Sequence, residues 1–299
     1  MKTEIYSAQP LLSLEDLSIV AGLLQEGRVV AIPTETVYGL AADLFCESAI
    51  REIFHVKGRA SDNPLIAHVS DLGQVERIAA RPSKLFYQLT ERFWPGPLTL
   101  VTERKAEVPP IAAANLSTIA VRMPSHVCTR QIIDAVGSPL AAPSANRSGT
   151  PSSTSVQDVL DDFFERIPAV VDGGISPLGI ESTVVGLFGD RPLLLRPGAI
   201  PREVLEEEIG MALGKPEGAA RSPGMKYRHY APKAKVLLLE SERKIEDAYI
   251  PSDLSIQNLY AHFRKADRLG HSVIAIVLTP KVLACEALMD RILRAEKGI

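Results

Sequence analysis

The sequence predicts an α/β protein with a mixed sheet, followed by a second, small α/β domain. Across residues 14–210, short apolar runs of strand length alternate with stretches of helical periodicity, which is typical of a sheet flanked by helices. The apolar runs 182–187 and 193–195 are separated only by a short turn segment, so part of the sheet should be antiparallel. With 299 residues, 46% of them hydrophobic, the chain is long enough for two packed domains.

The first helix is predicted from a capping sequence. Ser13 precedes Asp16 by three residues, and apolar residues recur at helical spacing as far as Gly27. The β-branched run 28–32 follows and is stopped by Pro33, which predicts a strand. Further strands are predicted at 65–69, 98–102, 118–123, 140–142, 169–171, 182–187 and 193–195. Further helices are predicted near 49–56, 74–81, 83–93, 127–136 and 155–166.

The composition changes after residue 210. Gly, Pro and Ala become frequent, and residues 221–235 hold five basic residues and no acidic one. We therefore predict a large first domain, a linker and a small α/β domain at 1–210, 211–235 and 236–299. The small domain has predicted strands at 236–239 and 273–278 and predicted helices near 254–269 and 282–297. Because it is close to the lower size limit for an independent core, it should pack against the first domain.

Charge and cysteine content argue against several classes of protein. The 33 Lys and Arg residues nearly balance the 36 Asp and Glu residues, which is unlike a protein whose whole surface binds nucleic acid. Cys46, Cys128 and Cys285 lie far apart, without the spacing of zinc ligands or of a disulfide framework. No signal-peptide pattern or long apolar span is present, so we expect a soluble, cytoplasmic protein.

Candidate ligand-binding residues stand at the ends of the predicted strands, where α/β folds place ligands. The common phosphate motifs, such as the P-loop and the dinucleotide fingerprint, are absent. The polar residues at strand ends are Thr34, Thr36, Tyr38, Lys57, Arg59, Asn63, Arg122, Ser144, Asn146, Arg147, Ser148, Ser182 and Arg196. Each segment alone is more typical of an ordinary turn. Cations beside hydroxyl-rich turns in three separate segments, however, suit a polyphosphate site built without a P-loop.

Some residues have both a structural and a functional interpretation. His68, inside an apolar run, is more often a core side chain than a ligand. Trp94 and its neighbouring prolines favour a rigid packed turn over a base-stacking surface. Glu181 would support a metal or cap a strand pair. The basic segment 221–235, with its two tyrosines, suits RNA or phosphate contact and a solvated linker about equally.

Nine segments together resemble the threonylcarbamoyl-AMP synthases, a family built on the YrdC-like domain. They are PTETVYGL (33–40), KGRASDNPLIAHV (57–69), FWPGPLTLV (93–101), STIAVRMP (117–124), PLAAPSANRSGTPSSTS (139–155), VDGG (171–174), IESTVV (180–185), LLRPGAI (194–200) and SPGMKYRHYAPKA (222–234). The resemblance implies a twisted mixed sheet with flanking helices and a concave basic pocket. The last segment is similar to the linker that joins this domain to a small C-terminal domain in two-domain members.

The sequence departs from the family pattern in two places. Ala60 and Ser61 stand where the family often has Pro and a basic residue, which would weaken phosphate contact. The stretch between Leu239 and Leu254 is shorter than the family pattern, as if a strand and a helix were missing. We therefore expect a contracted C-terminal domain.

The resemblance implies a nucleotidyl-transfer reaction. L-threonine, bicarbonate and ATP would give L-threonylcarbamoyl-adenylate and pyrophosphate, and partner transferases would move the threonylcarbamoyl group to an adenosine beside the anticodon of tRNA. Such chemistry needs no covalent nucleophile, since positioning and charge neutralisation carry most of the work. Magnesium is expected with ATP. Because no carboxylate pair for a metal is evident, ATP itself would carry the ion.

The resemblance also implies roles for individual residues. The residues implied for the threonine site are Thr36, His68, Arg122, Ala142 and Ser182, with Arg122 pairing the carboxylate. The residues implied for ATP are Arg59, Asn63, Thr118, Ser144, Ser152, Arg196 and Tyr230. Lys57 and Arg59, expected in one exposed turn, would act catalytically on the phosphates. Tyr230 and His229 would let the linker close over the nucleotide as a lid.

Two other functions compete with this one. A binding module for double-stranded RNA or tRNA, without catalysis, would explain Arg122, Arg196 and the basic linker. It would not explain the pocket-sized set of Thr36, His68, Asn63 and Ser182. A carbamoyl-adenylate-forming enzyme of hydrogenase maturation uses a similar domain. Those proteins resemble larger chains with acylphosphatase and zinc-finger segments, which this sequence lacks.

Overall fold

Two β-sheets organise the chain. A computed structural model describes residues 2–8, 10–189, 191–216, 230–241 and 245–297. The strands are β1 (Glu4–Ser7), β2 (Val30–Ile32), β3 (Gly39–Asp43), β4 (Ile66–His68), β5 (Leu98–Glu103), β6 (Thr118–Arg122), β7 (Leu140–Ala141), β8 (Ala169–Asp172), β9 (Thr183–Gly186), β10 (Leu193–Arg196), β11 (Lys235–Leu239), β12 (Ala248–Tyr249) and β13 (Val273–Val277). The helices are α1 (Leu14–Gln25), α2 (Glu47–Lys57), α3 (Leu72–Ile78), α4 (Lys84–Phe93), α5 (Val127–Val136), α6 (Val156–Phe163), α7 (Arg202–Ile209), α8 (Leu259–Leu269), α9 (Pro280–Leu283) and α10 (Glu286–Lys297).

The large sheet has ten strands in the order β1-β8-β2-β3-β7-β4-β6-β5-β9-β10. The pairs β1–β8, β2–β8, β4–β6 and β5–β9 are parallel, whereas the remaining pairs, including β9–β10, are antiparallel. The sequence-based prediction of a mixed α/β sheet is confirmed. The ladder hydrogen bonds of this sheet hold the strand ends that form the site described below.

Local signals in the sequence place the helix ends. The Ser13 hydroxyl accepts a hydrogen bond from the Asp16 amide at 3.0 Å, which caps α1 as predicted. Ser155 and Asp158 form a reciprocal capping box at the start of α6. Gly58, with φ of 61°, ends α2 in the left-handed conformation that favours glycine. These caps therefore fix the positions from which the adjoining loops leave.

Strands β1 and β3 and helix α7 of the large domain were not predicted from the sequence. Strand β3 consists mainly of small residues and follows Pro33 closely, so its pattern does not resemble a β-branched run. It pairs antiparallel with β2 and with β7, and a Cβ on Gly39 would lie 3.2 Å from the Ala142 side chain. The Trp94 interpretation is confirmed: its indole packs on Phe86 and donates to the Leu98 carbonyl at 2.8 Å.

The C-terminal region (residues 230–241 and 245–297) carries the small sheet, in the order β11-β13-β12, with parallel pairing. Its core includes Tyr260, Phe263 and Ile292. Helix α8 begins later than predicted, at Leu259, and the predicted last helix is two helices, α9 and α10. Residues 217–229, most of the predicted linker, lie outside the described residues. The predicted domain boundaries stay a prediction.

Buried and half-buried ion pairs join the C-terminal region to the large domain. Arg264 contacts Asp162 at 2.7 Å, Arg268 contacts Asp161 at 2.8 Å, and Arg202 of α7 contacts Glu286 of α10 at 2.8 Å. The small unit packs against the first, as its size predicts. None of the helices in the described ranges is long and apolar enough to cross a membrane.

Candidate active site

A cleft that opens to solvent lies at the strand ends of the large sheet. Its walls come from the loop between β2 and β3, the ends of β4, β6 and β10, the loop after β7, and the residues before β9. The sequence-predicted site residues that line it are Thr36, Arg59, His68, Arg122, Ala142, Ser144, Ser182, Arg196 and Tyr230. The cleft thus has three guanidinium groups, in agreement with the concave basic pocket that was expected.

Arg122, at the end of β6, is held on three sides. Its Nη1 donates to the Thr36 hydroxyl at 2.8 Å, its Nε donates to the Gly96 carbonyl at 3.2 Å, and its Nη2 lies 2.6 Å from the Glu35 carboxylate. Only 3% of Arg122 is exposed. Burial raises the pKa of the Glu35 carboxyl, but the Arg122 charge, together with hydrogen bonds from Arg122 and from backbone amides, holds that pKa below its usual range. The two side chains therefore form a buried ion pair at the cleft.

The Thr34–Thr36 turn sets the direction of the Thr36 hydroxyl. Thr34 Oγ1 donates to the Val37 carbonyl at 2.7 Å and lies 2.8 Å from Thr36 Oγ1. Because a hydroxyl has a single hydrogen, Thr36 donates to Thr34 and accepts from Arg122. Thr34 is the turn hydroxyl that the structural interpretation expected, whereas Thr36 reaches the cleft.

His68 is a neutral hydrogen-bond acceptor at the end of β4. Its Nδ1 lies 3.2 Å from the Ile66 carbonyl, and a carbonyl oxygen accepts only, so Nδ1 carries the hydrogen and Nε2 carries a lone pair. Burial and the nearby Arg122 charge lower the pKa of His68 to about 3. The residue is 3% exposed and lines the cleft. Nδ1 is therefore satisfied within the protein, as the structural interpretation expected, whereas a role of Nε2 in binding stays a prediction.

Two further guanidinium groups are fixed by backbone carbonyls. Arg196 donates through Nη2 to the Ser182 carbonyl at 2.9 Å and to the Ser182 hydroxyl at 3.1 Å, and that hydroxyl lies 2.7 Å from Thr99 Oγ1. Arg59 donates to the Pro64 carbonyl at 3.0 Å. Burial lowers the pKa of Arg59 to about 10, so it remains charged at neutral pH. The guanidinium groups of Arg59 and Arg196 therefore place positive charge at fixed positions where an anion could bind.

Lys57 does not occupy an exposed turn, and that expectation was wrong. It is 3% exposed, lies outside the cleft lining, and donates to the carbonyls of Ser144 and Asn146. Its own carbonyl accepts from the Ser148 amide at 2.8 Å. Burial lowers the pKa of the Lys57 ammonium well below its usual value. The last turn of α2 is covered by the loop after β7, so Lys57 holds that loop in place.

The other predicted ATP ligands lie behind or beside the cleft. Ser152 is fully buried, and its hydroxyl donates to the Glu181 carboxylate at 2.5 Å. Asn63 is 2% exposed and is not part of the lining. Thr118 stands at the start of β6 and lines a separate depression with Phe188 and Arg191. The structure therefore does not bring these three residues into one wall with Arg59 and Arg196.

Glu181 brings the C-terminal region to the cleft. The residue lines the cleft, and its oxygens accept from the Tyr260 hydroxyl at 3.0 and 2.9 Å and from Arg291 Nε at 2.9 Å, in addition to Ser152. Burial would raise the pKa of Glu181, but Arg291 and Arg196 lower it below its usual value. Both oxygens are engaged, so Glu181 does not suit a metal. Within the described ranges, no group of three or more His, Cys, Asp or Glu side chains could hold a metal ion.

Tyr230 forms the wall of the cleft on the C-terminal side. It is 5% exposed, its ring stacks on Tyr260 at 5.7 Å between centroids, and the Arg291 guanidinium lies 4.8 Å from its ring centroid. The neighbouring amide of Ala231 donates to the Gly149 carbonyl at 2.9 Å. His229, the other predicted lid residue, lies outside the described residues.

Comparison with known proteins agrees with this geometry. Residues 22–198 match the family model Sua5_yciO_yrdC, described as "Telomere recombination", and residues 200–255 match the model described as "Threonylcarbamoyl-AMP synthase, C-terminal domain". The chain belongs to the Sua5_yciO_yrdC family. The family resemblance carried by the nine sequence segments is confirmed.

Relatives within this family share much of the chain. The threonylcarbamoyl-AMP synthase of Pyrococcus abyssi is 46% identical over 242 residues, which is 77% of this chain and 71% of the relative. That of Bacillus subtilis is 45% identical over 226 residues, which is 74% of this chain and 65% of the relative. The crystal structure of P. abyssi Sua5 complexed with L-threonine superposes with a TM-score of 0.91 at 38% identity, covering 99% of this chain and 98% of the other.

The sequence analysis missed partners that come from distant segments. Glu35 stands inside the quoted segment PTETVYGL, but its partner Arg122 belongs to another strand, so sequence spacing gave no signal for the pair. Tyr260 and Arg291 meet Glu181 only because the C-terminal region packs on the cleft. Arg291 stands on the same face of α10 as Leu288 and Ile292, and this position among apolar residues is a sequence signal that could have identified it.

Proposed function

We infer that this chain is an L-threonylcarbamoyladenylate synthase acting in tRNA modification next to the anticodon. The observation that carries this function is the cleft itself. It combines an amino-acid-sized end, formed by Arg122, Thr36 and neutral His68, with an anion-binding end at Arg59 and Arg196. The relatives in Pyrococcus abyssi and Bacillus subtilis, which are named threonylcarbamoyl-AMP synthases, support the same function.

We propose that threonine binds at the Arg122 end. The guanidinium would pair the substrate carboxylate, and the small side chain of Ala142 leaves room for the amino acid. His68 Nε2, as an acceptor, would take a hydrogen bond from the substrate hydroxyl or ammonium group. Thr36 and Ser182 would provide further hydroxyl contacts. A neutral His is required here, since an imidazolium would repel the ammonium group.

We propose that ATP binds at the Arg196 end. Arg59 and Arg196 would neutralise the phosphates, Ser144 would contribute a hydroxyl, and the Tyr230 ring would cover the nucleotide. Asn63, Thr118 and Ser152, which the resemblance implies for ATP, do not line the cleft, so no direct nucleotide contact is proposed for them. Lys57 would contribute by holding the Ser144 loop, through the two carbonyls to which it donates.

The chemistry then needs positioning more than proton transfer by the protein. The threonine amine attacks the bicarbonate carbon and water leaves, which gives a carbamate. A carbamate oxygen attacks the α-phosphorus of ATP, and the bond to pyrophosphate breaks. The cations offset the negative charge that builds up on the phosphates. Mg²⁺ is proposed to arrive bound to ATP, since Glu181 is engaged elsewhere, and no step is assigned to it.

The proposed product is unstable in water and needs a protein that takes it up. Threonylcarbamoyl-AMP is a mixed anhydride that water hydrolyses, so we propose that transferases acting on tRNA take it up, in the cytoplasm. Direct RNA contact through the basic segment 221–235 is part of this proposal, and most of that segment lies outside the described residues.

Product analysis tests the proposed function. The full-length protein is incubated with ATP, L-threonine and ¹³C-bicarbonate, and the adenylate is analysed by mass spectrometry. We expect one ¹³C label in the carbamoyl group. Binding of double-stranded RNA or tRNA without any labelled adenylate would favour the binding-module alternative instead.

A further inference from the structure

Arg291 of α10 connects the C-terminal region to three segments of the cleft. Its side chain is fully buried. Nε donates to Glu181 at 2.9 Å, Nη2 donates to the Pro197 carbonyl at 3.0 Å, and the guanidinium lies over the Tyr230 ring. Glu181 and Tyr230 themselves line the cleft, and Pro197 directly follows the cleft residue Arg196.

The charge of Arg291 matters because Glu181 is an acidic group in a site for an anion. Glu181 precedes Ser182, to which Arg196 is hydrogen-bonded. Without a partner of its own, the Glu181 carboxylate would attract Arg196 and repel the phosphates of ATP. Arg291 supplies that partner from outside the cleft, so the positive charge of Arg196 stays available.

The shape of the guanidinium matters as well. Asp290 pairs with Nη1, so each part of the planar fork has its own partner. The flat face of the Arg291 guanidinium packs on the Tyr230 ring. Tyr230 also stacks on Tyr260, and the Tyr260 hydroxyl donates to Glu181. A single buried residue thereby holds the aromatic wall and the acidic residue in fixed positions relative to each other.

We propose that Arg291 is a positioning residue for ATP: it neutralises Glu181 and fixes Tyr230, and this is the contribution of the C-terminal region to the reaction. The proposal rests on the proposed function, because it assumes that the Arg196 end of the cleft takes the nucleotide. It makes Arg291 act through Glu181, Pro197 and Tyr230 and not by contact with the substrate.

The experiment measures ATP binding by equilibrium methods, and KM and kcat by pyrophosphate release, on the full-length chain with Arg291→Met. This variant removes the charge and keeps an unbranched stem. We expect ATP affinity to fall, and the KM for ATP to rise, by roughly tenfold or more, with a smaller change in kcat. In the double variant Glu181→Gln, Arg291→Met, the unpaired carboxylate of the cleft is gone, and Asp290 keeps its ion pair with Arg294, so a large part of the ATP affinity should return.

The matched control is Arg202→Ala. It breaks the Arg202–Glu286 pair, which also anchors α10 to the large domain but lies away from the cleft. We expect it to lower the melting temperature while leaving the KM for ATP unchanged. If Arg291→Met does not fold, Arg291→Lys takes its place: it keeps the charge but loses the fork, and should raise the KM for ATP severalfold.

The outcomes separate the proposal from the proposed function. Wild-type protein that releases no pyrophosphate with threonine and bicarbonate overturns the proposed function, while its ATP affinity can still be compared with that of Arg291→Met. An ATP affinity of the folded Arg291 variant equal to that of wild type overturns the positioning role. The positioning role is also overturned if Arg202→Ala loses as much ATP affinity as the Arg291 variant, or if the double variant recovers no ATP affinity.

Discussion

The Arg122 guanidinium lies 2.6 Å from the Glu35 carboxylate, and both side chains are buried. Glu35 thus occupies one edge of the guanidinium that we assign to the threonine carboxylate. A carboxylate in this position fixes the orientation of Arg122 before substrate binds, and such preorganisation lowers the cost of binding.

Replacing Glu35 should therefore weaken threonine binding more than ATP binding. Glu35→Gln leaves Arg122 without its ionic partner, and we expect the free energy of unfolding to fall by about 3 kcal/mol. The KM for threonine should rise severalfold, with the KM for ATP nearly unchanged. Steady-state kinetics with each substrate varied in turn, together with urea unfolding, measures both effects. An equal rise in both Michaelis constants would contradict the assignment of this end to threonine.

The stability of the fold should fall in acid because the Glu35–Arg122 ion pair is lost there. The folded-state pKa of Glu35 lies below its usual value, so its contribution is fully present above the unfolded pKa of roughly 4.5 and is lost as pH falls through the lower, folded pKa. Melting temperatures measured from about pH 6 to pH 3 should drop less steeply in Glu35→Gln than in wild type. Parallel curves for the two proteins would show that Glu35 does not titrate with folding.

Threonine selection should depend on the substrate hydroxyl. If neutral His68 accepts a hydrogen bond from it, 2-aminobutyrate leaves Nε2 unpaired and should be a poorer substrate by about a hundredfold or more. Serine, which lacks only a methyl group, should lose less, roughly tenfold. Pyrophosphate release with each amino acid as substrate measures the ratio of kcat/KM values. Equal values for threonine and 2-aminobutyrate would show that the hydroxyl is not recognised.

The pH profile should show no titration of His68 in the neutral range. With its pKa lowered to about 3, His68 stays neutral from about pH 5 to pH 8, so it gives no inflection there in kcat/KM for threonine. The variant His68→Gln, which keeps an acceptor, serves as the comparison. An inflection between pH 6 and pH 7, of the usual histidine range, that disappears in His68→Gln would contradict a permanently neutral His68.

Replacing Arg59 should mainly affect catalysis, whereas replacing Lys57 should mainly affect stability. Arg59→Ala removes a charge from the cleft and should cost about 2 kcal/mol or more of transition-state stabilisation, seen in kcat/KM for ATP. Lys57→Met leaves two loop carbonyls unpaired, so it should lower the free energy of unfolding by about 1–3 kcal/mol and affect ATP less. The reverse order of effects on kcat/KM would restore Lys57 as a direct phosphate contact.

The sequence alone predicted those helices and strands that local sequence patterns determine. The capped helix α1, the strands near β5 and β6, and the antiparallel β9–β10 pair follow from periodicity, caps and turn length. The motif segments also placed nine site residues that line one cleft.

The features that the sequence did not predict depend on contacts between distant segments of the chain. Lys57 was expected in an exposed turn before a strand, but it is the last residue of α2 and the loop after β7 covers it. Glu35 and Arg291 acquire their roles from partners on other elements, which single-sequence patterns do not encode. Strand β3 was missed because small residues pair as well as β-branched ones when their neighbours hold them.

Pyrophosphate release tests the central claim most directly. Purified full-length protein is assayed with ATP and Mg²⁺, and with threonine and bicarbonate added singly and together. We expect release that requires both, in equal amounts with the threonylcarbamoyl-AMP formed. Release that persists without threonine or without bicarbonate, or no release under any condition, would contradict the account.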